Sequence, residues 1–473
     1  MTATLSTPVL LKAKPISVAP PGTLPTKPDL LPLDAGEQYR FAFEMDSCIG
    51  CHACEVACGE QNGLPTDTAW RRVGEIEGGV YPVAKRFHLS MSCNHCVEPA
   101  CLDGCPTNAY EKLANGVVAH HADDCIGCQY CTWTCPYSVP AFQPDRRIVT
   151  KCDMCLPRLD AGMSPACVAA CPTNAITVEK VNVAEWLADP SAGDAPHLPH
   201  ASITMSTTRI VLPRNMPEDS FAASDWNVHP EDPHWPLIWL TLVSQLAVGM
   251  SITGTAPWHR VVAALLAGAA LAGAIFHLGR PVMAWKALRN LRRSWLSREV
   301  ALLSAYAACA AGAAWVPALR VPTALVGIAG AYASARLYIV PGRPSWNSPL
   351  TVVRFFATAI ALGGAVTLRP AVAVAGAVTA LGAMAFNWAR LAVSDGHAAH
   401  AALRLELDVL GGWTGLRIVT GFVGGLAVAV GSPVAAFVLL AVSETLGRWL
   451  FFVSAAPLNM PGGFFRGTAA SPR

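Results

Sequence analysis

Sixteen of the seventeen cysteines fall between Cys48 and Cys171, in four groups of four. The groups are Cys48, Cys51, Cys54, Cys58; Cys93, Cys96, Cys101, Cys105; Cys125, Cys128, Cys131, Cys135; and Cys152, Cys155, Cys167, Cys171. Three of them end in Cys-Pro, through Pro106, Pro136 and Pro172. The first and third read C-x2-C-x2-C-x3-C, the run that holds iron–sulfur clusters. Each iron of a cubane takes one soft thiolate. Three cysteines two residues apart wrap over three corners, and the fourth reaches a neighbouring cluster, so the groups work in pairs. The second and fourth groups are variants, with longer insertions before the third cysteine.

Other uses of cysteine suit the pattern poorly. A zinc site takes two separated Cys-x2-Cys pairs. A disulfide framework belongs to small exported domains, and no export signal is evident here: Val9-Leu10-Leu11 is too short an apolar core and is followed by Lys12 and Lys14. Cys309 stands alone in an apolar run and reads as a small buried hydrophobe.

The chain has 473 residues, of which 53% are hydrophobic and 14% charged. Its mean hydropathy is +0.38. That is too apolar for a soluble protein of this size, and the apolar residues concentrate after about residue 235. A net charge of +2 with no basic stripe argues against nucleic acid as a partner.

Taken in order, residues 1–38 are a disordered proline-rich arm, from Pro8 to Pro32. Residues 39–185 form the cluster domain. Phe41 and Phe43 alternate as a strand leading into the first cysteine loop. "GVVAHHADDCIGC" and "NAITVEK" read as further short strands. An internal repeat runs through the domain: "CIGCHAC" recurs as "CIGCQYC" and "CPTNAY" as "CPTNAI". Residues 186–234 have no periodicity and read as a linker wrapping the cluster domain. Eight apolar stretches then follow, at about 236–256, 261–279, 299–318, 322–340, 350–369, 371–392, 415–430 and 434–454, each read as a transmembrane helix. Residues 457–473 are a tail.

The cluster domain resembles the four-cluster iron–sulfur subunit of the dimethyl sulfoxide reductase family. The residues that carry the likeness are "CIGCHACEVACGEQNGLP" (48–65), "CNHCVEPACLDGCPTNAY" (93–110), "CIGCQYCTWTCPY" (125–137) and "KCDMC" (151–155). The apolar part is similar to that family's anchor subunit through "HLGRPVMAWKALRNLRRSWLSRE" (277–299) and "SETLGRWLFF" (443–452). Two proteins look fused. The resemblance implies an α+β, ferredoxin-like, double-lobed iron–sulfur domain followed by an all-α membrane domain (235–456) of eight helices with a quinone site. It implies four [4Fe–4S] clusters, with ligand sets Cys48, Cys51, Cys54, Cys171; Cys152, Cys155, Cys167, Cys58; Cys93, Cys96, Cys101, Cys135; and Cys125, Cys128, Cys131, Cys105. The first and fourth cysteine groups would then share one lobe, and the second and third the other.

The implied role is a membrane-anchored electron-transfer subunit. Electrons pass between a quinone pool, menaquinone or ubiquinone, and a separate molybdopterin-containing catalytic subunit. Ionisable residues inside the apolar stretches mark the quinone site. His277, Glu444 and Arg448 are the candidates, with Glu444 and Arg448 four apart and able to pair. Haem needs two axial histidines. Only His277 lies inside a predicted span, so no haem is expected. The rival readings are a proton- or ion-translocating redox module and a structural anchor that binds no quinone.

Arg280, Lys286, Arg289, Arg292, Arg293 and Arg298 crowd one connection, while Arg260, Arg320 and Arg369 are the basic residues of the opposite side. The positive-inside rule then places a multi-pass protein in the cytoplasmic (inner) membrane with its iron–sulfur domain in the cytoplasm.

Overall fold

The computed structural model describes residues 30 and 32–458, apart from 67, 219 and 223–228. Most of the expected N-terminal arm and nearly all of the C-terminal tail lie outside the described residues.

Two three-stranded sheets frame the cluster domain. In the first, β1 (Glu37–Glu44) pairs antiparallel with β8 (Ile176–Asn182), in a register that sets Phe41 against Val178 and Phe43 against Ile176. Phe41 and Phe43 are buried, as their alternation requires. In the second, β2 (Arg72–Gly78) pairs antiparallel with β3 (Lys85–Met91). Two small hairpins, β4 (Tyr110–Lys112) with β5 (Val118–His120) and β6 (Ala141–Gln143) with β7 (Ile148–Thr150), carry the remaining strands of the cysteine region.

The stretch expected as a linker does more than connect. It adds β9 (Arg209–Val211) to the first sheet, parallel to β1, and β10 (Phe221–Ala222) to the second. Periodicity could not reveal this, because polar side chains do the fastening. The Thr207 hydroxyl donates to the Asn94 carbonyl at 2.7 Å, the Thr208 hydroxyl to Asn94 Oδ1 at 2.9 Å, and the Trp186 indole to the Ser206 carbonyl at 2.8 Å.

Each of the eight apolar stretches contains a helix: α1 (Trp235–Thr253), α2 (Pro257–Ala274), α3 (Trp295–Trp315), α4 (Arg320–Leu337), α5 (Leu350–Val366), α6 (Pro370–Ala392), α7 (Gly411–Ala429) and α8 (Pro433–Val453). Six of these regions are long and apolar enough to cross a membrane; α5 is apolar but shorter, and α3 carries Arg298 and Glu299 near its start. Proline at the first helical position opens α2, α6 and α8, where its missing N–H costs nothing. Helices α1–α4 pack on one another as one four-helix bundle and α5–α8 as a second. The two bundles meet where α1 crosses α5. A Cβ on Gly249 would sit 1.9 Å from the Ala359 carbonyl oxygen, so only glycine admits this crossing. Leu265, Phe276, Trp315, Val321 and Phe386 form part of an exposed apolar surface, as a helical bundle facing lipid requires.

The two parts are joined by a packed seam. Trp133, from "CTWTC", is buried against Trp346 at 5.3 Å and against Tyr338 and Phe452 at 6.1 Å between ring centroids. The basic connection between α2 and α3 grips the cluster domain directly. Lys286 and Arg289 both pair with Asp124, at 3.0 and 2.8 Å, and Arg280 donates to the Ala122 carbonyl at 2.9 Å. Much of the basic excess that the topology rule counts is thus engaged with protein. Trp133→Ala should cost about 3–5 kcal/mol, as for other buried tryptophans. The expected result is earlier cleavage between the two parts under limited proteolysis in detergent.

Candidate electron-transfer site

The cysteine loops need sharp turns, and the backbone supplies them. Gly50 and Gly127, the glycines of the repeated "CIGC", have φ of +66° and +68°. A Cβ on Gly127 would lie 2.4 Å from the Arg147 carbonyl oxygen and 2.9 Å from Gly279 Cα. The third cluster loop and "HLGRP" therefore touch backbone to backbone. After each loop, a short helix presents the next cysteines: Ala53–Asn62 carries Cys54 and Cys58, Ala100–Gly104 carries Cys101, Tyr130–Thr134 carries Cys131, and Ala166–Ala169 carries Cys167.

The folded chain gathers the cysteines into four sets. Cys48, Cys51, Cys54 and Cys171 line one hollow, with Pro172 in its wall. Cys93, Cys96, Cys101 and Cys135 line another, with Pro136. Cys58 lies within electrostatic reach of Cys155 and Cys167, and Asn62 Nδ2 approaches both Cys58 Sγ and Cys155 Sγ, at 3.7 and 3.9 Å. Cys152 lies within electrostatic reach of Cys58, Cys93 and Cys155. Cys128 and Cys131 each face Cys105 and Cys125. Among the described residues no three cysteine, histidine or carboxylate side chains converge on a single metal ion. Thiols spread around a hollow are the arrangement that a many-cornered cluster needs, and a single zinc ion does not.

Burial pushes the Cys58, Cys96 and Cys128 thiols up to about 12. Thiols so deeply placed give up their protons readily only to a strong positive charge, and bound iron provides it. Hydrogen bonds await the sulfurs: Ala109 N–H to Cys105 Sγ at 3.3 Å, Gly127 N–H to Cys125 Sγ at 3.4 Å, and the Thr204 hydroxyl to Cys96 Sγ at 3.1 Å. The residues present fit iron–sulfur clusters.

A cavity of about 210 Å³ opens where this domain meets the first helical bundle. Leucines from α1, α2 and α3 make much of its wall. Its polar members are Cys128, Tyr130, His277, Glu299, Ser304 and Tyr338. His277 Nδ1 donates to the Ala274 carbonyl. A carbonyl can only accept, so Nδ1 carries a proton, and in the neutral imidazole Nε2 keeps its lone pair. Glu299 is 4% exposed, and its Oε1 has no hydrogen-bond partner among the described residues.

The candidate residues predicted for a quinone site are divided by the fold. His277 lines this cavity; Glu444 and Arg448 do not. They sit between the bundles. Glu444 accepts from the Thr358 hydroxyl at 2.6 Å, while Arg448 donates to Gln245 Oε1 at 2.8 Å and lies 3.8 Å over the Phe355 ring. The expected Glu444–Arg448 pair does not form among the described residues, because each side chain finds a partner on another helix. Sequence reading missed Glu299. It falls at the edge of a predicted span, where an acid looks interfacial. The available signal was its place in an otherwise apolar helix, one residue after Arg298.

A family model described as a 4Fe-4S dicluster domain matches residues 84–181, and one for the DMSO reductase anchor subunit matches residues 229–387. One of the chains of the anaerobic dimethyl sulfoxide reductase of Haemophilus influenzae is 38% identical over 177 residues, covering 36% of this protein and 86% of that relative. The protein belongs to the dimethyl sulfoxide reductase family. It joins an electron-transfer iron–sulfur subunit of that family to a multi-pass membrane anchor in one polypeptide. The corresponding component of the Escherichia coli anaerobic dimethyl sulfoxide reductase is 38% identical over 147 residues, 29% of this protein and 72% of its own length. A sulfite dehydrogenase subunit from Allochromatium vinosum is 39% identical over 160 residues, 29% of this protein and 67% of its own length.

Proposed function

We propose that this dimethyl sulfoxide reductase family protein oxidises a membrane quinol, menaquinol or ubiquinol, and delivers the electrons to a separate molybdopterin-containing catalytic subunit. Sixteen cysteines hold four [4Fe–4S] clusters in two ferredoxin-like lobes, in the four sets described above; all eight helices span the membrane, and no haem takes part. When bound, the clusters accept and release one electron at a time. The observation that carries this reading is the shared cavity: Cys128 and His277 line the same wall.

Oxidising a quinol releases two protons and two electrons. His277 Nε2 accepts a proton from one quinol hydroxyl, and the Glu299 carboxylate from the other. Cys128 would hold the cluster nearest to the ring. Bound clusters would supply the electron route onward, held by the set of Cys93, the set of Cys152 and, at the far end, the set of Cys48. Cys51, Ile49 and Val56 are exposed at that end, so this face meets the catalytic subunit. The test is to add a quinol analogue anaerobically to the purified complex and follow bleaching of the clusters, with molybdenum assayed in the co-purifying large subunit. Clusters that do not respond to quinol, or a complex without molybdenum, would overturn the proposal.

The cluster domain and the basic connection lie on one side of the helices and face the cytoplasm in this proposal. A reporter fused after Arg473 should be active only in its cytoplasmic form; periplasmic activity would reverse the orientation. One observation favours a second reading, a proton-translocating module: Arg354, Arg417, Arg448, Glu406 and Glu444 are all buried in or beside the second bundle. Proton uptake in sealed vesicles during quinol oxidation separates the two.

A further inference from the structure

Arg71 precedes β2 and is 2% exposed, inside the cluster domain. Its Nη1 donates to the carbonyl and the hydroxyl of Ser90, both at 3.2 Å, and Nη2 donates to the Ser92 hydroxyl at 2.8 Å. The guanidinium lies 4.6 Å over the Phe41 ring, and Nε has no hydrogen-bond partner among the described residues. None of these partners is a carboxylate. By contrast, Arg40 and Arg209 in the same domain both pair with Glu179.

An arginine cannot shed its charge, and a buried charge without a counter-charge is strongly unfavourable. The groups that act most strongly on Arg71, as thiolates, are Cys54, Cys58, Cys152 and Cys167. These belong to two of the four sets, the two at the exit end. Ser90, whose hydroxyl Arg71 holds, places that hydroxyl 3.3 Å from Cys54 Sγ. Two other buried cations, Lys112 and Lys151, spend their ammonium protons on backbone carbonyls, which is a role in fastening loops. Arg71 likewise bonds Ser90 and Ser92, and its fixed charge lies beside the two exit sets, as those of Lys112 and Lys151 lie beside Cys93 and Cys101.

We propose that Arg71 sets the reduction potentials of the two clusters held by Cys48, Cys51, Cys54, Cys171 and by Cys58, Cys152, Cys155, Cys167. The inference rests on the four-cluster reading. Taking up one electron adds one negative charge, and a fixed positive charge beside it favours the reduced form. The attraction falls with distance; Arg71 also reaches His95, beside Cys93 and Cys96, so the set of Cys93 feels it in part and the set of Cys125 least. Arg71 thereby raises the potentials of the two clusters at the exit end. It is a positioning charge and touches no substrate.

The experiment is a redox titration of the whole complex, followed by electron paramagnetic resonance, for Arg71→Gln and Arg71→Lys. Glutamine keeps donors for Ser90 and Ser92 but removes the charge; lysine keeps the charge but loses the planar fork. In Arg71→Gln, two of the four clusters should become harder to reduce, their oxidised-to-reduced ratio at a fixed potential rising about tenfold, which is ~59 mV for one electron. The other two should move less, and Arg71→Lys should stay close to the parent. Equal shifts in Gln and Lys, an equal shift in all four clusters, or no shift would overturn the assignment. So would loss of the two clusters from both variants, since that marks a role in folding. Iron analysis of the parent separates failure of the underlying reading: iron near eight per chain, against about sixteen for four cubanes, removes the four-cluster premise itself.

Discussion

Replacing His277 with alanine should leave the clusters in place and slow their reduction by quinol at least a hundredfold. The size follows from the chemistry: a positioned acid or base contributes roughly 10²–10⁴-fold. His277 is tied by its Nδ1 proton to the Ala274 carbonyl, which turns a lone pair on Nε2 to proton duty. It shares its cavity wall with Cys128, so proton acceptor and electron acceptor stand beside the same small volume. Glu299→Gln should give a loss of comparable order, because the amide keeps the shape but cannot take a proton. Glu444→Gln should cost far less, since Glu444 is engaged with Thr358 outside the cavity. Rapid mixing with a quinol analogue, monitored by cluster bleaching, checks all three. A normal rate in His277→Ala would reject this site, and a large loss confined to Glu444→Gln would move it between the bundles.

Cys128→Ser should abolish quinol-dependent electron delivery altogether while sparing the clusters at the far end. In the proposed sets Cys128 belongs with Cys105, Cys125 and Cys131, and it lines the cavity proposed for the quinol. Losing a thiolate there should convert this cluster to a three-iron form or eliminate it, which breaks the route at its first step. Iron should fall from about sixteen per chain to between about twelve and fifteen by the four-iron rule. Chemical reduction with dithionite should still reach the remaining clusters. If quinol reduces the Cys128→Ser complex at the parent rate, electrons enter elsewhere and the shared-wall argument fails.

The spacing of sixteen cysteines was enough to announce clusters, because thiolate geometry around a cubane is local and leaves a periodic trace in the chain. Eight helices were equally legible, because each apolar stretch is contiguous. The strands β9 and β10 were not. β9 follows Thr207 and Thr208, whose hydrogen-bond partner Asn94 is far away in sequence, and β10 is placed by pairing with the equally distant β2. Glu444 and Arg448 looked like a pair because four residues on a helix share a face, yet Thr358 and Gln245 on other helices claim them. Glu299 and His277 stand 22 positions apart, on different helices, and only the folding of the α2–α3 connection against Asp124 and Cys105 brings both to one cavity. Arg71 likewise reads as one basic residue among many, and its lack of a carboxylate partner exists only in three dimensions. Ligand spacing and hydropathy are properties of neighbours along the chain. Which buried charge faces which cluster, and which acid shares a wall with which histidine, depends on long-range packing that no local pattern encodes.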